Sequence, residues 1–121
     1  MNKKFFDDPI VEKWVPKEVV EWLNKIVAEN IRDADNKWGK WKVKYKARHT
    51  LKVVRWGNKI LKNIKETERN KRQAIIICFL HDVGRFPQVK QNSYSDIDTG
   101  IDHAALGARM AGENGIDYSE Y

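Results

Sequence analysis

Residues 75–86, IIICFLHDVGRF, place a buried helix and a titratable pair side by side. Six apolar residues run unbroken from Ile75 to Leu80, and His81-Asp82 follows at once. A run that is apolar all round marks a helix at the centre of a bundle. Thr67 supplies its N-terminal cap and Gly84 its stop. At the C-terminal end of a helix the peptide dipoles present partial negative charge. A carboxylate there has the wrong sign, by about 0.3–1 kcal/mol. Burial against apolar neighbours adds a desolvation cost. A divalent cation at Asp82 would offset both, and His81 offers that ion a neutral imidazole nitrogen.

The flanking sequence reads as helices packed around that one. Between Pro16 and about Ile31, Val19, Val20, Trp22, Leu23, Ile26, Val27 and Ile31 fall at helical spacing, with Pro16 in the first turn. Asp33 to Gly39 reads as a connection. From Ala47 to about Ile64 a second helix carries His49, Val53, Trp56, Gly57, Ile60 and Ile64 on one face. His49 then sits on an otherwise apolar stripe and supplies a second imidazole from the facing helix. Such a histidine is more often a core residue, and an aspartate at a helix end is often a turn former. Consistent placement of all three strengthens the metal reading. Residues 84–101, with Pro87 and Gly100, read as a long loop. A last helix follows from Asp102 or His103 to about Gly112, rich in small residues that permit close packing. The expected fold class is all-α, one domain over residues 1–121, a compact helical bundle.

Composition narrows the classes. A chain of 121 residues with 41% hydrophobic and 33% charged residues has room for one modest core. No apolar run approaches the ~20 residues of a membrane helix, so no membrane partner is expected. The start, MNKKFFDDP, lacks an apolar signal core, and the expected location is the cytoplasm. Cys78 is the only cysteine, so no internal disulfide forms, and it reads as a small buried hydrophobe. There is no HExxH pattern, glycine-rich phosphate loop or CxxC pair.

The net charge of +6 is local. Residues 37–48, KWGKWKVKYKAR, hold six Lys/Arg and no acid, and the remainder carries 17 basic against 17 acidic residues. In this segment Trp41, Val43 and Tyr45 alternate with lysines, which predicts an extended lead-in to the second helix. Its aromatics would pack inward while the lysine heads stay in water. Two other readings stand beside this one: a stacking and cationic track for single-stranded nucleic acid, and steering of an anionic substrate toward His49.

RHTLKVV at 48–54, FLHDVGRFPQ at 79–88 and DHAALGARM at 102–110 resemble the HD-domain superfamily of metal-dependent phosphohydrolases, over about residues 45–112. The resemblance implies an all-helical fold with a His on one helix, a His-Asp doublet ending a later buried helix, and a distal Asp. His49, His81 and Asp82 match the first three and would hold a divalent metal ion (Mn, Co, Ni, Zn, Fe or Mg). The implied activity is hydrolysis of a phosphate ester, with a nucleotide or another small phosphorylated molecule as substrate. Asp82 would also position the attacking water. Arg85 would bind phosphate oxygens in the reaction, and His103 would serve the substrate or a second metal. Asp102 reads as the cap of its helix. The distal Asp is not placed among Asp98, Asp102 and Asp117, and a C-terminally shortened bundle is the corresponding expectation. Three functions follow in order: a phosphohydrolase, a catalytically incomplete HD-like regulatory or interaction domain, and a nucleic-acid-binding module built on residues 37–48.

Overall fold

The computed structural model describes residues 4–90 and 102–116. Six helices lie among them: α1 Pro9–Trp14, α2 Lys17–Arg32, α3 Lys37–Leu61, α4 Glu68–Leu80, α5 Arg85–Val89 and α6 His103–Glu113. No strand occurs among the described residues, and the chain is all-α. None of these helices is long and apolar enough to cross a membrane.

Asp8 starts α1. Its backbone is extended, its side chain accepts the Ile10 N–H at 2.8 Å, and Pro9 fills the first helical position, where no N–H is needed. Asp followed by Pro at the first helical position is a start signal that the sequence itself carries. The carboxylate does more than cap. Arg55 of α3 donates to its Oδ2 through Nε at 2.9 Å and Nη2 at 2.7 Å. Burial works to raise the Asp8 carboxyl, but the hydrogen bonds from Arg55 and the backbone outweigh it and hold it below the ordinary range.

Replacing Asp8 by alanine removes cap and tie together, and should cost about 1–3 kcal/mol in urea unfolding at neutral pH. Because the folded value is depressed, this contribution is complete above the ordinary carboxylate range. It disappears as pH falls through the folded value, so wild type and Asp8→Ala should converge in strong acid.

Val19, Leu23 and Val27 recur every four residues on α2 and are fully buried, as their spacing predicts. The basic segment differs from expectation. It is helical, not extended, because Asn36 caps a helix at Lys37 by accepting the Gly39 N–H. Alternation over six residues fits either period, and here the cap and the continuation into 47–61 decide for the helix. Val43 turns into the core, while Trp41 and Tyr45 are about half exposed. The inward packing of the aromatics is thereby corrected.

The face expected to be apolar, His49 through Ile64, is also corrected. The buried face of α3 is Val43, Ala47, Thr50 and Val54, whereas Trp56, Ile60 and Ile64 are exposed. Thr67 caps α4 as expected, its hydroxyl accepting the Asn70 N–H. Ile75, Ile76, Phe79 and Leu80 fill the core, and Phe6 packs edge-on against Phe79. The expectation of all-round burial fails at Ile77, which is half exposed.

α3 is the spine, packed against α1, α2, α4 and α5. The expected loop from 84 is corrected at its start: residues 81–84 form a turn, and α5 occupies Arg85–Val89 with Phe86 and Val89 buried. The rest of that segment, residues 91–101, lies outside the described residues. α6 begins at His103 under the cap of Asp102, whose Oδ1 accepts the N–H groups of Ala104 and Ala105. It packs on α5 through small residues, with Gly107 against Val83 and Gly84.

Candidate metal centre

One packing contact, α3 against α4, brings the predicted ligands together. α3 carries His49 beside the end of α4, where the helix closes at Leu80 and the chain turns through His81 and Asp82. Ligand atoms of His49, His81 and Asp82 all lie within 4.8 Å of one another. Asp82 Oδ2 is 3.0 Å from His81 Nε2 and 3.7 Å from His49 Nε2, and the two imidazole rings are 5.9 Å apart. The Asp82 side chain is 12% exposed, and those of His49 and His81 are 39% and 33% exposed. The carboxylate therefore sits at the floor, with the rings as walls open to solvent.

Local structure fixes one ligand atom. His81 Nδ1 lies 2.7 Å from the Cys78 carbonyl, one turn back on α4, and donates its proton there. That leaves Nε2 facing Asp82, to which it donates at 3.0 Å. Giving up that proton would turn the same nitrogen into a ligand, an orientation typical of metal-binding histidines. The Cys78 thiol is pushed up by burial, in keeping with a packing role.

Electrostatics single out a residue that sequence reasoning missed. Lys46 Nζ is 2.9 Å from Asp82 Oδ2, with its side chain only 13% exposed. Lys46 stands three residues before His49, hence one turn away on the same helix. Helical phasing of 37–48 would have revealed it, and the extended reading hid it. Burial alone would raise the Asp82 carboxyl. Hydrogen bonds from His81 and Lys46, with their charges, override it and hold the group far below the ordinary carboxylate range. His81 is raised, first by its hydrogen bond to Asp82. His49 is lowered by burial and then by the charge of Lys46, so it stays neutral and keeps a lone pair to offer.

The remaining candidates fall elsewhere. Arg85 begins α5, and its Nη1 donates to the buried Gln88 side chain. His103 opens α6, and its backbone carbonyl lies against Gly84, two residues past the doublet. Asp102 is occupied as a cap. Asp98 and Asp117 lie outside the described residues.

A helical bundle whose spine and central helix converge on two imidazoles and a carboxylate defines a narrow structural class. The family model described as "HD domain" matches residues 47–120, more than half of the chain. The chain belongs to the HD domain family. No curated protein and no solved structure matches it. The matched region takes in all of α4, α5 and α6 but only the later part of α3, and leaves α1 and α2 outside.

Proposed function

We propose that this chain is a metal-dependent phosphohydrolase acting on a phosphoester. The convergence of His49, His81 and Asp82 within ligand distance of one another carries the reading. Two borderline nitrogen donors and one hard oxygen donor suit a first-row divalent ion such as Mn, Co, Ni, Zn or Fe, as well as Mg. His49 Nε2, His81 Nε2 and Asp82 Oδ2 would hold it. Such an ion, when bound, polarises a phosphoryl oxygen and makes water a better nucleophile at neutral pH.

The chain's own groups then divide the work. Asp82 orients the attacking water by accepting a hydrogen bond from it. The Arg85 guanidinium exchanges its contact with Gln88 for two phosphate oxygens, matching their geometry bidentately. His103, at the start of the helix packed on the doublet's turn, faces the substrate. Attack of the water oxygen on phosphorus forms the new P–O bond as the ester P–O bond breaks. The proton the water gives up is returned through solvent to the departing alkoxide, which leaves as alcohol.

Lys46 favours a second reading, an HD-like domain in which the ammonium compensates Asp82 without a metal. The two separate cleanly. Calorimetric titration with manganese, cobalt, nickel and zinc, run beside hydrolysis of chromogenic phosphomonoesters and diesters, supports the enzyme if both respond. Metal uptake without turnover leaves a metal-binding domain that is catalytically incomplete. Absence of uptake removes the metal reading and supports the metal-free domain in which Lys46 compensates Asp82. Lys46 also predicts a gain: Lys46→Met removes a cation competing for Oδ2 and should tighten metal binding by roughly tenfold or more in the same titration.

A further inference from the structure

The helix that carries His49 extends a further surface beyond the metal centre, with His49 at its edge. Across its 25 residues α3 contains nine Lys/Arg and no acid. Without those nine the chain would hold 14 basic against 17 acidic residues. The positive charge of the protein resides in this one helix. Lys46 and Arg55 are bound to Asp82 and Asp8. Lys37, Lys44, Arg48, Lys52 and Lys59 are exposed and recur at seven- and four-residue steps, which sets them in one ridge.

Beside that ridge stand rings. Trp38, Trp41, Tyr45 and Trp56 are 58%, 49%, 46% and 63% exposed. Trp41 and Tyr45 stack at 5.3 Å with 21° between their planes, and each remains about half exposed to solvent. Large aromatics are seldom left in water without a partner, and a contiguous row of them marks a binding surface. Its charge selects the occupant. A second copy of this chain, or any basic partner, would set like charges face to face. A flexible polyanion that carries flat rings satisfies ridge and row together. His49 follows Tyr45 by one turn on the same face, ~6 Å along the axis.

We propose that this face of α3 is a track for single-stranded nucleic acid, with bases stacked on Trp38, Trp41 and Tyr45 and phosphates along the lysine–arginine ridge. The strand delivers a phosphodiester to the centre at His49, a step that rests on the hydrolase reading, whereas binding itself does not. Trp38, Trp41 and Tyr45 precede the residues matched by the family model, so the track is a feature of this chain in addition to the shared centre.

The test is fluorescence anisotropy of the full chain with a labelled single-stranded oligothymidylate, in chelator so that no metal chemistry intervenes. The expected result is binding tighter than to a duplex of equal length. Log affinity should fall against log salt by about 0.7 per phosphate contact. Trp41→Ala with Tyr45→Ala should weaken it by about tenfold or more with the thermal midpoint unchanged, since both rings are half in water. Lys44→Glu with Arg48→Glu should flatten the salt slope by about 1.4. Several outcomes overturn the proposal: no binding, equal affinity for duplex or for polyglutamate, or binding indifferent to the aromatic pair. A concentration-dependent dimer abolished by Trp41→Ala would assign the face to a second copy and overturn it as well. Because chelator is present throughout, failure here leaves the hydrolase reading to its own titration.

Discussion

Replacing Asp82 by alanine should abolish both divalent-metal binding and phosphoester hydrolysis. The carboxylate is the one group that touches every other member of the centre: His81 at 3.0 Å, His49 at 3.7 Å and Lys46 at 2.9 Å. Partners one shell further out typically account for 10–100-fold in metal affinity, so loss of the only anionic ligand among the three should exceed ~100-fold. Alanine also leaves the Lys46 ammonium largely buried without its counter-ion, which destabilises the fold in its own right. Asp82→Asn keeps the shape and a hydrogen-bond acceptor for Lys46, and separates the two effects. Both variants should lose metal by elemental analysis, and the asparagine variant should keep more of its thermal stability. Full metal stoichiometry in Asp82→Ala would end the account of this centre.

Gly84→Ala should be the most damaging single-methyl change in the molecule. A Cβ at Gly84 would stand 1.8 Å from the His103 carbonyl oxygen and 2.7 Å from the Gly107 nitrogen. Both are backbone atoms, which cannot swing aside as a side chain can. α6 must therefore leave the turn that follows the doublet, taking His103 with it. Overpacking usually costs 1–3 kcal/mol, and a clash between two backbones should reach about 3 kcal/mol or more, near a 10 °C fall in thermal midpoint. The glycines of α6 itself calibrate the effect. Gly107→Ala meets Gly84 N and the Val83 side chain at 3.1 Å and should cost less. Gly112→Ala meets nothing within 4 Å and should stabilise, by up to ~1 kcal/mol from helix propensity. A series in a different order would mean that α6 does not dock as described.

The His81-Asp82 doublet was legible in the sequence because it marks a helix boundary. The apolar run to Leu80 announces where α4 must end, and His81-Asp82 occupy the turn that follows. His49 was found by its match to the doublet, though on a mistaken reason: the stripe assigned to it is the exposed side of α3. What failed was phasing. Trp41, Val43 and Tyr45 satisfy a two-residue period over a stretch too short to exclude a helix, and nothing in residue type says that Val43 alone turns inward. Lys46 was hidden by that error, since its place beside Asp82 follows only once 37–61 is one rod. α1 was missed because six residues carry too little periodicity, and only the Asp8-Pro9 start gives it away. Arg85 shows the limit of spacing: its bond to Gln88 depends on α5, which the expected loop did not contain.

The unequal placement of the five tryptophans has an optical consequence. Trp14 is buried and Trp22 partly so, while Trp38, Trp41 and Trp56 stand on one face of α3. Emission of the intact protein is therefore weighted toward indoles in contact with water, and those indoles are ringed by cations. Iodide is drawn to such a surface and caesium repelled from it, so the ratio of their quenching constants reads out the local potential of the helix without any label.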